Sequence, residues 1–479
     1  MSILKKSLEV YQQNAMEFNK GLDPLRSPTI ASYCMKVFRT NHLKDSKIPI
    51  LHKDEYDFCK RGFYGGRTNA IQLYKNWDAE SIEKGIYGKY QDIQSLYPTV
   101  QFYDDLPSDI IGWSDVVDFD KDFGYVECDV TCPKDLYIPV LPEKKDGKLI
   151  FDLMNKTKAV FTTIELKKAI EKGYKITKVH KALLFEKSNN IFKSYVANLL
   201  QGKVEATGSY LEDKELDEFI DEHERRFGFH IDVNKLKKNP GMRALMKIQL
   251  NSLWGKFGQK CDMSVNKYVT SAHEWFKLFK SHIDGRINLK SEKILDNNSM
   301  FVEYQNLEEE NTSLPTTSVA VAGFTTSNAR LRLYKELEKL NERVIYFDTD
   351  SIIYEYNKNL YNIPDGKYLG EWTCETEGEP ITEFVSIGPK SYSYKYDGKT
   401  KTKFKGFTLN YENGNKITFD SIKELLDGTI KSLDTVNMNF KKDKKMGCIY
   451  TEDQVKSASF CYSKREIVGY RTYPFGYVK

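Results

Sequence analysis

The stretch Tyr346-Phe347-Asp348-Thr349-Asp350-Ser351-Ile352-Ile353-Tyr354 constrains this chain most, because two carboxylates one residue apart sit between apolar β-forming residues, Val344 and Ile345 before them and Ile352 and Ile353 after. The pattern predicts a tight hairpin with the acids at its tip. Such a turn holds Asp348 and Asp350 close enough to repel unless a divalent cation stands beside them. An exposed Asx-type turn uses the same residues without a metal. A metal site therefore needs another acid from elsewhere.

Tyr87-Gly88-Lys89-Tyr90-Gln91-Asp92-Ile93-Gln94-Ser95-Leu96-Tyr97-Pro98-Thr99 supplies a candidate, with a β-like approach to Asp92 and a turn closed by Pro98. An acid at a strand end, followed by free backbone N–H groups, can hold a cation and the phosphates it carries. A strand capped by a polar turn is the alternative. A helix is predicted from about Met242 to Trp254, where Arg243, Lys247, Asn251 and Trp254 follow at spacings of four, four and three. One face then presents two cations, an amide and a ring, while Leu245 and Ile248 can pack inward and Gly255 ends the helix. That face suits a triphosphate bearing a base; a solvated face with a core Trp is the plainer reading.

Elsewhere the signals are weaker. Phe63-Tyr64-Gly65-Gly66-Arg67-Thr68 joins two glycines, which allow close backbone approach, to an arginine suited to phosphate. Gly388-Pro389-Lys390-Ser391-Tyr392 and Lys405-Gly406-Phe407 pair a cation with a ring or a flexible backbone, a combination that can track a nucleic-acid strand. Lys395, Lys399, Lys401, Lys403 and Lys405 fall within eleven residues, and Lys441, Lys442, Lys444 and Lys445 form a second cluster. Solvated surface explains both clusters equally well.

The connecting regions read more simply. Leu4, Leu8, Tyr11, Ala15 and Phe18 predict an N-terminal helix, ended by Gly21, Asp23-Pro24 and Ser27-Pro28. Strands are expected at Gly124–Val130, Leu136–Leu141, Ile176–His180 and Ala182–Phe185, with a helix around Thr163–Lys172. Residues 209–238, beginning Leu211-Glu212-Asp213-Lys214, turn from acidic to basic and predict an exposed helical excursion that Asn239-Pro240-Gly241 ends. Residues 260–315 are polar and uneven, with loops at Asn297-Asn298-Ser299 and Glu308-Glu309-Glu310-Asn311, and read as an insertion or connector. A long packing helix is expected over about Thr317–Leu340. The tail from 408 reads as a small α+β unit with helices near Asp420–Leu426 and Ile430–Met438.

At 479 residues the chain exceeds what one core accommodates, so two to four subdomains are expected. With 40% hydrophobic and 29% charged residues it is a folding chain, and its net charge of +4 is too small to establish a polyanionic partner. The eight cysteines form no CxxC pair and no zinc spacing with the seven histidines, which predicts free thiols, no structural zinc and a reducing compartment. Without an apolar signal core or about eighteen consecutive apolar residues, the expected protein is soluble, bound to no membrane, and intracellular or virion-associated.

Taken in order, these motifs resemble the polymerase half of family B DNA polymerases, and more narrowly the protein-primed group of some phages, viruses and linear plasmids. Asp92 through Pro98 resembles the first palm motif, Lys247 through Gly255 the fingers motif, and Tyr346 through Ser351 the second palm motif. Lys390-Ser391-Tyr392 is similar to the Lys-x-Tyr motif that contacts the primer. Phe63-Tyr64-Gly65-Gly66 resembles a Tyr-x-Gly-Gly motif with Phe63 for Tyr, and Trp254 likewise replaces a Tyr. Lys203, in Gly202-Lys203-Val204-Glu205, resembles a further fingers lysine. The likeness covers roughly residues 60–410.

The resemblance implies an α+β right-hand fold: a palm of antiparallel sheet plus helices at 61–190 and 260–405, helical fingers at 191–259, and a small thumb at 406–479, after a helical remnant at 1–60. It implies that Asp92, Asp348 and Asp350 are catalytic and bind two Mg²⁺ ions, with Mn²⁺ able to substitute. Ser95, Leu96, Tyr97, Lys203, Arg243, Lys247, Asn251 and Trp254 would bind the deoxynucleoside triphosphate, Tyr97 excluding a 2′-hydroxyl. Gly65, Gly66, Arg67, Ser252, Gly255, Thr349, Lys390, Tyr392 and Lys405 would contact primer-template DNA. The family's proofreading exonuclease domain has no counterpart in the motifs, so proofreading is either absent or supplied by a separate exonuclease subunit; the protein-primed type implies a terminal protein primer as a further partner. Two other classes compete, a two-metal nuclease and a non-catalytic nucleic-acid-binding relative. A nuclease has no use for the Arg243/Lys247/Asn251 face or Tyr97, and a relative that had lost activity would have no reason to keep all three acids.

Overall fold

A computed structural model describes residues 2–44, 46–209, 211, 213–260, 264–307, 317–443 and 446–478. Lys444 and Lys445, Glu212, Cys261 and the loop expected at Glu308-Glu309-Glu310-Asn311 lie outside the described residues. The chain forms two compact units: Met1–Phe63, Gln101–Glu127 and Lys181–Thr325 in one, and Tyr64–Val100, Cys128–His180 and Thr326–Lys479 in the other.

The first unit is mainly helical. Its centre is the helix Pro240–Phe257, which packs on the helices Ile30–Val37 and Lys193–Thr207. Asn239 starts it as N-cap, accepting from the Met242 amide at 3.1 Å, and Pro240 follows where no amide donor is needed. The sequence therefore contains a helix start where it suggested only a break. The helix also runs past Gly255 to Phe257 and is capped by Gly258.

Leu245, Met246, Gln249, Leu250, Leu253 and Phe257 are buried, whereas Ile248, expected inside, is 44% exposed. The inward face is thus rotated from the one expected. Two polar anchors fix that rotation: Asn19 donates to Gln249 Oε1 at 3.4 Å and Tyr195 donates to the Gln249 carbonyl at 3.0 Å. The rings of Phe38, Phe192 and Phe257 close the cluster at centroid separations of 4.9 to 6.0 Å.

Of two further regions in this unit, one is the helix expected, with part of it buried, and the other, read as an uneven connector, is ordered. The acidic-then-basic stretch holds the helix Asp213–Phe227, with Ile220, His223 and Phe227 buried. Within 260–315, the strands Val265–Val269, Ile287–Asp296 and Ser299–Asn306 form an antiparallel sheet beside the helix Ala272–Ile283, and Asn297-Asn298 turns the hairpin.

The second unit is built on an antiparallel nine-stranded sheet. Its main path runs Thr68–Ala70, Val344–Asp348, Ser351–Asn357, Ile86–Ile93, Ile381–Gly388, Ser391–Tyr396 and Lys399–Phe404, with Tyr74–Asn76 and Trp372–Cys374 paired off it. Leu73, Trp77, Tyr90, Ile345, Ile353, Phe384 and Tyr394 form its core. A second cluster seats the helix Phe419–Asp427 against the same sheet through Phe419, Ile422 and Leu425.

Three readings of this part change. Leu136–Leu141 is not a strand: Pro139 removes a ladder donor, and the carbonyls of Pro139 and Val140 instead accept from Arg67. Ile176–His180 and Ala182–Phe185 belong to one strand, Lys175–Ser188. Ile430–Met438 is not helical; Val436, Met438 and Phe440 alternate along the strand Leu433–Asp443, which forms a long hairpin with Cys448–Ala458. The expected helices at Thr163–Lys172 and Thr317–Leu340 are present as Thr163–Glu171 and Val319–Leu340. No helix among the described residues is long and apolar enough to cross a membrane.

Candidate active site

The second unit places the acids by strand register. Thr68 pairs with Asp348, Asp348 with Ser351, Ser351 with Asp92, and Asp92 with Thr373. Directly opposed residues on neighbouring strands point to the same face, so Asp348 and Asp92 share one face with Ser351 between them. Asp350 occupies the hairpin tip. Its amide donates to the Asp348 carbonyl at 2.6 Å, and its own carbonyl accepts from Ile93 at 2.7 Å, which ties the tip to the strand carrying Asp92.

The tip is shaped by unusual backbone. Thr349 has φ 58°, a left-handed conformation rare for a β-branched residue, and its amide donates to the Arg67 carbonyl at 2.8 Å. Three contacts converge on Asp348 Oδ1: Thr68 Oγ1 at 2.7 Å, Thr349 Oγ1 at 3.2 Å and Lys390 Nζ at 3.1 Å. Burial, and next the nearby Asp348 charge, push the Asp350 carboxyl up to about 6. A carboxyl so disfavoured as an anion gains from a cation beside it.

Among the described residues no group of three or more His, Cys, Asp or Glu side chains could hold a metal by itself. The donors present are carboxylate and main-chain oxygens. That chemistry suits magnesium, which is commonly held by one or two carboxylates together with substrate phosphates.

The turn after Asp92 differs from expectation. Gln94 and Ser95 make it, Ser95 at φ 57°, and Pro98 lies in the first turn of the helix Leu96–Tyr103, where its missing amide is harmless. Leu96 is buried, so its side chain is unavailable to a nucleotide. Tyr97 is half-buried in the same unit, its phenol pushed up to about 12 chiefly by burial, and it interacts electrostatically with Arg330, Asp350 and Asp348.

Two expected DNA contacts are corrected. Arg67 is 2% exposed; its guanidinium donates to the Pro139 and Val140 carbonyls at 2.6 and 2.9 Å and lies over the Phe151 ring at 3.9 Å. It braces the core and cannot reach a phosphate. Tyr392 is also 2% exposed, its hydroxyl 3.0 Å from that of Tyr90, so it packs within the sheet beneath Lys390.

Lys390 remains partly exposed and, with Lys405, lies where the adjacent strands meet: Ser391 pairs with Phe404, and the Lys405 amide donates to Ser391 Oγ at 3.2 Å. Lys464 joins them, which sequence reasoning missed. Its ammonium donates to the Thr68 carbonyl at 3.4 Å, and burial, followed by the charge of Lys405, lowers its pKa to about 8. Nothing in Cys461-Tyr462-Ser463-Lys464 marks it; only the fold brings it to Thr68.

Gly65 and Gly66 are held from behind. Arg330, buried, donates to the Tyr64 and Gly65 carbonyls at 2.6 and 2.9 Å and makes a two-pronged bond to Glu165 at 2.8 and 2.9 Å. This pair, too, was not legible in sequence.

In the first unit the expected helical stripe is present. Arg243, Lys247, Asn251 and Gly255 are exposed, and Trp254 and Ser252 are half-buried, with Ser252 Oγ bonded to the Ile248 carbonyl at 2.7 Å. Lys203, on the neighbouring helix Lys193–Thr207, is drawn into the cluster: burial, then the charges of Arg243 and Lys247, lower its pKa to about 8. Three cations repelling one another make a site that an anion would relieve.

A family model described as DNA polymerase type B, organellar and viral, matches residues 2–221 and 228–342. The chain belongs to that family. It is 27% identical over 462 residues to a probable DNA polymerase of Ascobolus immersus, covering 94% of this chain and 33% of that one. A DNA polymerase of Streptococcus phage Cp-1 is 24% identical over 424 residues, covering 86% and 63%. The chain spans about a third of the length of the curated fungal relatives it matches. Among solved structures, Phi29 DNA polymerase complexed with primer-template DNA aligns with a TM-score of 0.61 at 18% identity, over 93% of this chain and 69% of that one. The Phi29 ternary complex with incoming nucleotide substrates aligns equally well, at 17% identity. The fold is therefore that of a right-hand polymerase.

Proposed function

We propose that this chain performs template-directed DNA synthesis, adding deoxynucleotides to a primer 3′-hydroxyl, in replication of a viral or plasmid-like linear DNA. The observation that carries the reading is the register row that sets Asp348 and Asp92 on one face with Asp350 tied between their strands. Family membership supports it independently. In this reading the palm is 61–190 with 260–405, the fingers 191–259 and the thumb 406–479.

Asp92, Asp348 and Asp350 would hold Mg²⁺, or Mn²⁺ in its place. Bound there, the ions would lower the pKa of the primer hydroxyl and neutralise charge on the triphosphate. The chain's own residues do the positioning. Lys203, Arg243 and Lys247 clamp the β- and γ-phosphates, Asn251 and Trp254 place the nucleoside, and Tyr97 closes the space that a 2′-hydroxyl would need. Lys390 and Lys405, with Lys464, hold primer phosphates, so binding weakens as salt rises. A terminal protein hydroxyl is the proposed natural primer.

The test is extension of a labelled primer on a DNA template with Mg²⁺ and deoxynucleotides, comparing the wild-type chain with Asp350→Ala. Extension by the first and none by the second is expected. Tight DNA binding without extension by either would overturn the assignment in favour of a binding role.

A further inference from the structure

One face of the helix Ile30–Val37 and the turn after it lines a groove, Met35 being its one buried member. Ser32, Met35, Lys36, Arg39 and Thr40 follow at helical spacing and, with Lys256, line a groove of about 570 Å³ inside the first unit. The opposite face, Tyr33, Cys34, Val37 and Phe38, is buried. The lining holds three cations and two hydroxyls and no carboxylate. Lys36 and Arg39 make no ion pair or side-chain hydrogen bond with any described residue. Arg39 and Thr40 sit on a π-helical turn, Phe38–His42, a widened geometry frequent at functional sites. The local field is positive beyond the lining: Lys20 and Lys44, after burial, hold His42 down to about 4.

The groove adjoins the nucleotide face along a single helix. In 100° steps along Pro240–Phe257, Ser252 and Gly255 fall between the Lys247–Asn251–Trp254 stripe and Lys256. A Cβ at Gly255 would meet nothing within 4 Å, so the path over it is open. A strand whose base pairs at the stripe can cross these small residues and reach Lys256. The lining offers no aromatic ring for a base and contains cations spread over two helices, which is recognition of a backbone without readout of sequence.

We infer that this groove binds the phosphodiester backbone of the unpaired template strand ahead of the site of synthesis. The inference rests on the polymerase reading above, and its test separates the two. Fluorescence anisotropy would compare primer-templates with one unpaired template nucleotide and with about ten, for wild type and Lys36→Glu/Arg39→Glu. The variant should bind the long overhang at least about tenfold more weakly, with a salt slope shallower by about 1.4, two single-strand phosphates at about 0.7 each. Binding to the short overhang, and addition of one nucleotide to it, should be unchanged. Lys36→Gln/Arg39→Gln should show a smaller loss of the same kind, which excludes misfolding as the cause. Equal losses on both substrates, or no loss on the long one, would overturn the inference. If wild type adds no nucleotide to either substrate, the polymerase reading fails while the binding comparison still decides the groove.

Discussion

A Cβ on Gly66 would stand 2.7 Å from Thr349 Oγ1, closer than real Cβ atoms approach. The missing side chain of one residue therefore sets the place of the other, and with it the acidic tip. Gly66→Ala should lower primer extension about tenfold or more, the cost of about 1.4 kcal/mol of misplacement, with little change in helix content by circular dichroism. Adding Thr349→Gly removes the clash and relieves the left-handed Thr349, so the double variant should regain most of the lost rate. No recovery would mean that Gly66 acts otherwise than through Thr349.

Lys203 gives a pH signature. Its folded-state pKa, about 8, lies below a lysine's ordinary value of 10.5, so the folded state binds this proton more weakly than the unfolded one. The charged amine therefore costs stability below pH 8, and that cost is relieved as pH rises from 8 through 10.5. Lys203→Met should raise the melting temperature at pH 7 by roughly 2–4 °C, a gain that shrinks toward pH 10. Nucleotide KM in wild type should rise above pH 8 as the charge is lost, and Lys203→Arg, charged throughout, should flatten that rise.

The Glu165–Arg330 pair is almost wholly buried, with side chains 1% and 2% exposed. Removing one partner strands the other, so Glu165→Gln or Arg330→Met should cost about 3–5 kcal/mol in urea unfolding. The paired change Glu165→Leu/Arg330→Met should recover much of that stability. Extension should stay low in the paired variant, because Arg330 then no longer holds the Tyr64 and Gly65 carbonyls.

Tyr97 bears on sugar choice. Replacing its ring by a shorter side chain, Tyr97→Val, should narrow the preference for deoxynucleotides over ribonucleotides by about tenfold or more, read as the ratio of kcat/KM values. Its phenol, pushed up to about 12, stays neutral in the working range, so the preference of the wild type should not vary between pH 6 and about 9.

What sequence revealed was local. The Asp348–Asp350 tip, the strand into Asp92 and the Arg243–Lys247–Asn251 stripe each announce themselves by period or turn chemistry within a dozen residues. Arg67 misled because two glycines before it suggest an open loop, whereas its partners are carbonyls 72 and 73 residues on and the rings of Phe151 and Tyr334. Tyr392 misled likewise, since its alternation places it on the face that Tyr90 and Tyr346 cover. Lys464 and Glu165 carry no local mark, because their roles depend on Thr68 and Arg330, far away in the chain. Ile430–Met438 read as helix because Ile430, Leu433 and Val436 are spaced by three while Ser432 and Asp434 break the period-2 pattern, and only its hairpin partner makes it a strand.

Three of the four pairings in the row Thr68, Asp348, Ser351, Asp92 and Thr373 join residues 259 to 281 positions apart in the chain. No short segment carries the acidic face, and helices can form while it does not yet exist. Distant pairings of this kind are slow to find. In refolding, competence for chemistry is therefore the late event: circular dichroism recovers first, and the acids come into line only when the two ends of the sheet have found each other.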